Sequence, residues 1–256
     1  MTKLLTPYAG FVSRRRALGL FGAATLLGCG GGGGSSGSSS TSTGTTTTTT
    51  TATSTGSTTA SCVLIPEETQ GPYPLFNDIA SASVYMREDI TEGKTGMPLS
   101  LLLTIVNVNS NCARITDALV YVWHCDKDGS YSGYNQQGSN TVGATFCRGV
   151  QMTDSSGLTK FTTIYPGWYA GRITHIHFRV YLSSSLAATS QLAFPQDITT
   201  AVYNSSLYAV RGQNTSITSF SADNVFSDGT QYQMCTMTQN ASTGGYDAAL
   251  TVGIAV

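Results

Sequence analysis

The chain has 256 residues and a formal net charge of -1, and only 11% of its residues are charged. This composition excludes a typical nucleic-acid-binding surface, which requires clustered Lys and Arg. Low charge combined with many Gly, Ser, Thr and Tyr residues favours an exported, β-rich protein over a cytosolic helical enzyme.

The N-terminus has the pattern of an export signal. Arg14, Arg15 and Arg16 precede an apolar run, residues 17–27, that is too short to span a bilayer as a permanent helix. Consecutive arginines before a modest apolar core resemble a Tat-type signal. The run ends Leu-Leu-Gly-Cys, which resembles a lipoprotein cleavage site. We therefore expect residues 1–29 to direct export to the periplasm or cell exterior, with a lipid anchor at Cys29. An ordinary signal peptide that is cleaved elsewhere is the alternative.

Residues 30–61 are rich first in Gly, then in Ser and then in Thr. Such a segment cannot bury enough apolar surface to fold, so it is predicted to be a disordered linker. The remaining residues, 62–256, are enough for one well-buried domain.

Four segments of this domain are rich in β-branched and aromatic residues and partly alternate between apolar and polar positions. They are residues 101–108, 118–124, 158–164 and 174–182. Asp- and Gly-containing turn signals separate them, and residues 197–203 are predicted to form a short helix. The pattern predicts an all-β fold, a β-sandwich of mostly antiparallel strands with short or no helices.

Five cysteines remain after the predicted signal: Cys62, Cys112, Cys125, Cys147 and Cys235. Export to an oxidising compartment favours disulfides, and no Cys-x-x-Cys spacing indicates a zinc site. Because five is an odd number, at least one thiol is free or pairs between chains. The connectivity stays open at this stage.

Two of the three histidines, His175 and His177, lie on one predicted strand with one residue between them. Residues i and i+2 of a strand point to the same face, so the two imidazoles form a candidate pair of metal ligands. Tyr169 follows a Pro-Gly turn shortly before them, and Tyr131 follows an Asp/Gly turn after residues 118–124. A phenolate is a hard donor that suits a ferric ion. The alternatives are solvent-facing histidines and tyrosines that only pack.

These residues occur in motifs that resemble those of the intradiol ring-cleavage dioxygenases, over about residues 62–256. The matching segments are W-x-x-D-x-x-G-x-Y at 123–131, T-I-x-P-G-x-Y at 163–169, R-x-x-H-I-H at 172–177, T-x-Q-x-x-F at 189–194 and T-x-G-P-Y at 69–73. The resemblance implies that Fe(III) is held by four side chains, those of Tyr131, Tyr169, His175 and His177.

The resemblance also implies roles for neighbouring residues. Tyr169 would act as a base when it leaves the metal, Arg172 would stabilise negative charge on the substrate ring, and Gln191 would orient iron-bound oxygens. Gly71, Pro72 and Tyr73 would line the mouth of the substrate pocket. Trp168, in the turn before Tyr169, is a further candidate for that mouth.

The implied activity inserts both atoms of O2 into a catechol and cleaves the ring between its hydroxylated carbons, giving a cis,cis-muconate-type diacid. The expected partners are therefore a small catecholic substrate and O2. Only Ala170 and Gly171 separate Tyr169 from Arg172, where the larger family members have a longer loop, so a more open pocket is expected. Two alternatives remain, a Zn or Cu protein that uses both histidines with a carboxylate, and a tethered β-sandwich binding module without catalysis. The identity of the catechol and the oligomeric state stay open.

Overall fold

A computed structural model describes residues 62–74, 83–136 and 138–256 of the protein. The predicted Tat-type signal, the anchor at Cys29 and the linker over residues 30–61 lie outside these residues and stay predictions. Within the described residues, no helix has the length and apolar character needed to cross a membrane.

The described residues form mostly β-strands and one short α-helix. The strands are β1 Pro98–Asn107, β2 Ala113–Arg114, β3 Ala118–Trp123, β4 Asn135–Gln136, β5 Ser139–Asn140, β6 Arg148–Met152, β7 Leu158–Ile164, β8 His175–Leu182, β9 Ser185–Ala193, β10 Thr236–Asn240 and β11 Gly245–Ile254. The helix is α1 Gln196–Tyr203, and short 3-10 turns cover Ser83–Tyr85, Val108–Ser110, Phe220–Ala222 and Phe226–Asp228.

Most of the strands form two sheets. In the first sheet, β10, β11 and β1 are neighbours, and β2 and β7 both pair with β1. The second sheet has the order β6-β3-β8-β9, and β4 and β5 form a separate hairpin. The β1–β11 pair is parallel, and the other named strand pairs are antiparallel. The predicted β-sandwich with mostly antiparallel strands is confirmed.

The core lies between the two sheets, and the alternation of side chains along the strands explains it. In β1, Leu99, Leu101 and Leu103 are buried, and in β8 Ile176 and Phe178 join the same apolar cluster. Because successive side chains of a strand point to opposite faces, the odd-numbered residues of β8 lie on the outer face of the second sheet. That outer face is covered by loops, and it holds the candidate site.

One disulfide, Cys62–Cys112, links the first described residue to the turn that follows β1. Cys125, Cys147 and Cys235 are buried free thiols. The expectation of at least one unpaired cysteine is therefore met within the described part of the chain.

Candidate active site

The structure brings the four predicted ligand side chains together at the start of β8. The Nε2 atoms of His175 and His177 are 3.1 Å apart. The hydroxyl of Tyr131 lies 3.2 Å from Nε2 of His177, and that of Tyr169 lies 3.2 Å from Nε2 of His175. Four donor atoms, two nitrogens and two phenolic oxygens, thus face one another in a single cluster.

Tyr131 lies at the end of a turn whose geometry depends on Asp126. One carboxylate oxygen of Asp126 accepts hydrogen bonds from the backbone N–H groups of Asp128 and Ser130, each at 3.0 Å. The other oxygen pairs with the ammonium group of Lys94 at 2.8 Å. These contacts close the turn after β3, so that Tyr131 folds back over the sheet and is fully buried.

Tyr169 lies in the connection between β7 and β8. This connection packs directly against the turn that contains Tyr131. The N–H of Gly167 donates to the carbonyl of Asp126 at 3.0 Å. A Cβ atom at position 167 would lie 2.3 Å from the carbonyl oxygen of Lys127, which is closer than any side chain allows. Only glycine therefore permits this contact between the two loops, and the contact sets the positions of both tyrosines.

The two histidines are oriented in different ways. His175 donates a hydrogen bond from Nδ1 to the carbonyl of Ile173 at 2.6 Å, which leaves the Nε2 lone pair directed at the cluster. The His177 ring stacks on Trp123, with ring centroids 4.9 Å apart and planes 5° apart. Gly71 lies beside the ring, and a Cβ at this position would come within 2.7 Å of Cε1 of His177. Among the described residues, Nδ1 of His177 has no hydrogen-bond partner.

The protonation states of the cluster follow from burial. Burial, aided by the charge of Arg172, lowers the pKa of His175 to about 3, and burial together with His175 lowers the pKa of His177. Burial raises the pKa of Tyr169 to about 12, although Arg172 opposes the rise, and burial also raises the pKa of Tyr131 well above its usual value. At neutral pH the imidazoles are neutral, which is the metal-binding form, and the phenols need a nearby cation to ionise.

The donor set fits a metal ion with a preference for hard ligands. Nitrogen and oxygen ligands about 2.0–2.1 Å from a metal, at angles of roughly 90–110°, are separated by about 2.8–3.4 Å. The separations of 3.1 and 3.2 Å between neighbouring atoms of the cluster match this range. Two phenolates would supply the negative charge that a trivalent ion requires.

The cluster does not contain a third ligand of the kind that zinc and copper sites use. No group of three or more His, Cys, Asp or Glu side chains that could hold a metal occurs in residues 62–74, 83–136 and 138–256. His124 lies outside the cluster. It donates from Nδ1 to the carbonyl of Cys125 and contacts Thr163 through Nε2, both at 2.8 Å.

Comparisons with known proteins agree with this geometry. A family model described as "Dioxygenase" matches residues 71–238. An intradiol ring-cleavage dioxygenase from Tetranychus urticae superposes with a TM-score of 0.67 and 27% sequence identity, covering 76% of this chain and 95% of that chain. This chain belongs to the intradiol ring-cleavage dioxygenase family.

More distant dioxygenase structures show the same fold. The dioxygenase domain of a dioxygenase carbohydrate-binding protein fusion from Streptomyces sp. SirexAA-E has a TM-score of 0.54 and 20% identity, over 76% of this chain and 99% of that one. A 3-chlorocatechol 1,2-dioxygenase from Rhodococcus opacus 1CP has a TM-score of 0.52 and 19% identity, over 75% of this chain and 72% of that one. A comparison with curated protein sequences gave no significant match.

In this intradiol-type site, Arg172 and Gln191 form a buried network. Arg172 donates from Nε to both carboxylate oxygens of Asp223, at 3.1 and 3.0 Å, and from Nη2 to Oε1 of Gln191 at 2.6 Å. The side-chain amide of Gln191 donates to the carbonyl of Thr69 at 2.8 Å. Both ends of the Gln191 amide are therefore engaged by protein groups, which differs from the predicted contact with iron-bound oxygens.

The predicted pocket-mouth residues are only partly brought to the site. Tyr73 stacks on Tyr131, with centroids 4.8 Å apart, and Gly71 lies against His177, while the intervening Pro72 is exposed. Trp168 is placed differently. Its indole N–H donates to the carbonyl of Gly212 at 2.9 Å, and the Arg211 guanidinium lies 4.4 Å from the centre of its ring. These contacts fix the orientation of the Trp168 ring, and its place at the pocket mouth stays a prediction.

Two residues beside the site were not predicted from the sequence. Asp223 lies in a loop without a periodic pattern, and no motif marks it. Arg148 is fully buried and donates to the hydroxyl of Tyr121 and to Ser132, with its guanidinium 5.9 Å from the ring centre of Tyr131. The Arg148-Gly149 pair matches the family pattern, which was the one available signal for Arg148.

Proposed function

We propose that the protein is a non-haem Fe(III) dioxygenase that inserts both atoms of O2 into a catechol-type aromatic. The ring would open between the hydroxylated carbons to give a cis,cis-muconate-type diacid. The observation that supports this proposal most strongly is the convergence of the Tyr131 and Tyr169 hydroxyls with Nε2 of His175 and His177 at 3.1–3.2 Å. Membership of the intradiol family supports the same chemistry.

The proposed metal ligands are Tyr131, Tyr169, His175 and His177. A bound ferric ion would supply Lewis acidity toward a chelating catecholate and would activate its ring for reaction with O2. The two phenols differ in exposure, because Tyr131 is fully buried under Tyr73 whereas Tyr169 is partly exposed. Tyr169 is therefore the phenolate that we assign to accept a proton, at Oη, from a substrate hydroxyl.

Arg172 would stabilise the phenolate form of Tyr169 and other negative charge in this site by its own charge. The guanidinium lies close enough to Tyr169 to oppose the rise in that residue's pKa. A fixed positive charge in a buried site also favours negative charge that develops on a bound catecholate. We assign Arg172 this electrostatic role and Gln191 the role of holding Arg172 in place.

The alternatives receive less support from the same contacts. A Zn or Cu site built on His175 and His177 would need a third ligand such as a carboxylate. Among the described residues, no His, Cys, Asp or Glu side chain completes a group of three that could hold a metal. A binding module without catalysis would leave unexplained why two phenols and two imidazoles share a buried cluster, which costs free energy unless a ligand compensates for it.

Metal analysis, a visible spectrum and oxygen uptake on a panel of catechols test the proposal. We expect about one iron per chain, a red colour from tyrosinate-to-iron charge transfer, and oxygen consumption that depends on a catechol. Tyr169→Phe should lose most ring cleavage while it retains iron, and Tyr232→Phe, at an exposed tyrosine, should behave as wild type. A colourless, zinc-loaded protein without oxygen uptake would contradict the proposal.

We also propose that residues 1–29 export the enzyme by a Tat-type route and that Cys29 carries a lipid anchor, with residues 30–61 as the tether. The sequence alone supports this part of the proposal. Labelled fatty acid should be incorporated into the wild-type chain and not into Cys29→Ser, and equal incorporation in both would contradict the anchor.

A further inference from the structure

The carboxylate of Asp223 is fully buried in the loop that follows the 3-10 turn Phe220–Ala222, and it is surrounded by donors. It accepts hydrogen bonds from the backbone N–H groups of Ile173 at 2.7 Å and Val225 at 2.8 Å, in addition to the Nε–H of Arg172. A buried carboxylate with this many donors is held in a single position by the fold.

Asp223 fixes the plane of the Arg172 guanidinium from one side. Gln191 accepts from Nη2 on another side, and Gln191 is itself held by the carbonyl of Thr69. Because a guanidinium is planar and its five N–H groups have fixed directions, two such contacts leave little rotational freedom. The remaining N–H groups of Arg172 are then presented in one orientation.

Asp223 also acts on His175 through Ile173. The N–H of Ile173 donates to Asp223 at 2.7 Å, and the carbonyl of Ile173 accepts from Nδ1 of His175 at 2.6 Å. Phe226, three residues after Asp223, places its ring 6.4 Å from the His175 ring and 5.7 Å from the Arg172 guanidinium. One loop therefore supports both a proposed metal ligand and the proposed catalytic arginine.

We propose that Asp223 is a positioning residue for the ring-cleavage reaction, which orients Arg172 directly and His175 through the backbone of Ile173. This inference rests on the proposed function. Asn is the most informative replacement because it keeps the shape of the side chain while it removes the charge. Its NH2 group would also face Arg172 or backbone N–H groups, which are all donors, so it cannot replace the lost contacts.

Asp223→Asn, with Asp228→Asn as the matched control, tests the proposal. Asp228 lies in the next 3-10 turn and is exposed, so its replacement should leave kcat and KM unchanged. For Asp223→Asn we expect kcat to fall by about 10–100-fold, the range for groups that support a metal site, with a smaller change in KM. The charge-transfer band should also shift, because His175 loses its support.

A double-mutant cycle separates positioning from general destabilisation. If Asp223 acts mainly through Arg172, then Asp223→Asn should lower kcat much less in an Arg172→Gln background than in the wild-type background. Equal losses in both backgrounds, or wild-type kcat and an unshifted band in folded Asp223→Asn, would overturn the proposal. Should Asp223→Asn alone fail to fold, Asp223→Glu replaces it in the same cycle, because Glu keeps the buried charge opposite Arg172 while it displaces the carboxylate from its donors.

The same measurements distinguish the inference from the proposed function. If the wild-type protein binds iron and cleaves catechol while the cycle is additive, only the role of Asp223 is wrong. If the wild-type protein neither binds iron nor consumes oxygen with catechols, the proposed function is wrong, and this role of Asp223 is wrong with it.

Discussion

His177 illustrates how packing can orient a proposed metal ligand where a hydrogen bond does not. Its ring stacks on the indole of Trp123 and lies beside Gly71, whereas His175 is fixed by the carbonyl of Ile173. Gly71 has a φ of +71°, and a Cβ added to it would lie 2.7 Å from Cε1 of the imidazole. The position of His177 therefore depends on the absence of a side chain at residue 71.

Gly71→Ala should weaken iron binding. The new Cβ would lie 2.7 Å from Cε1 of His177 and would push the ring away from the cluster. Gly93→Ala is the control, because Gly93 has a φ of +72° and nothing within 4 Å of an added Cβ. Both changes carry a similar backbone cost of about 1–2 kcal/mol. We expect a loss of iron affinity of about tenfold or more in Gly71→Ala alone, measured by equilibrium dialysis. Equal iron affinity in the two variants would contradict the account.

Single residues also show what the sequence could predict. The family motifs around Tyr131, Tyr169, His175 and His177 indicated all four donor residues, because each of these motifs is short and continuous in the sequence. The sequence could not indicate Asp223, because its role arises from a contact between residues 51 positions apart. The partners of Gln191 and Trp168 are likewise set by tertiary packing, so the sequence did not indicate those contacts.

At the level of elements, the site is a contact between two loops on the outer face of one sheet. The turn that carries Tyr131 and the connection that carries Tyr169 meet at Gly167 and Asp126. Asp126 closes its turn by accepting from residues i+2 and i+4, and Asp154 closes the β6–β7 turn in the same way. Only the first of these turns carries a proposed ligand.

Asp126→Ala and Asp154→Ala should therefore differ in function more than in stability. Each variant loses side-chain hydrogen bonds worth about 1–3 kcal/mol, so we expect both to unfold at lower temperature. Asp126→Ala alone should lower the iron content and the intensity of the charge-transfer band, because Tyr131 loses its fixed turn. Thermal unfolding and metal analysis on the same samples check this. Normal iron content in folded Asp126→Ala would show that the turn does not control Tyr131.

The strands were predictable where side chains alternate strongly. The predicted segment 158–164 coincides with β7, and segments 118–124 and 174–182 agree with β3 and β8 to within one residue at each end. The two-residue strands β2, β4 and β5 are too short for any periodic signal. β9 and β11 were not predicted because their burial is set by the neighbouring strands, and the first half of β9 is exposed although it contains Leu186 and two alanines.

Across the whole domain, the Cys62–Cys112 disulfide closes a chain segment with a sequence separation of 50 residues. A loop of this length corresponds to about 4 kcal/mol of denatured-state entropy, and measured values are commonly about 2–4 kcal/mol. We expect the double variant Cys62→Ser, Cys112→Ser to have a free energy of unfolding lower by about 2–4 kcal/mol, with kcat unchanged. Reductant should lower the Tm of the wild-type protein and not that of the variant. A wild-type Tm that is insensitive to reductant would contradict this assignment.

The distribution of charge over the domain predicts the charge of the preferred substrate. Three described cations lie beside the site, and protein groups already engage each of them. Arg172 is balanced by Asp223, buried Arg148 donates to Tyr121 and Ser132, and Arg179 donates to Gln70. An anionic substituent buried beside these residues would have to compete with those protein groups for a cation, which is costly.

We accordingly expect neutral catechols to be preferred over catechols that carry a carboxylate. The matched pair is 3,4-dihydroxybenzoate and its methyl ester, which differ in charge and little in shape. The ester should have the higher kcat/KM, by about tenfold or more, at fixed pH and ionic strength. Preference for the free acid would contradict this expectation, because it would show that a cation of the protein binds the carboxylate substituent.

The most direct test of the central claim is the visible spectrum of the iron-loaded protein and its tyrosine variants. Two phenolates on one ferric ion predict a strong charge-transfer band in the wild-type protein, which Tyr131→Phe and Tyr169→Phe should each weaken and shift and which Tyr232→Phe should leave unchanged. A band that survives intact in both ligand variants, or iron-loaded protein without such a band, would contradict the convergence of these two phenols on one metal ion.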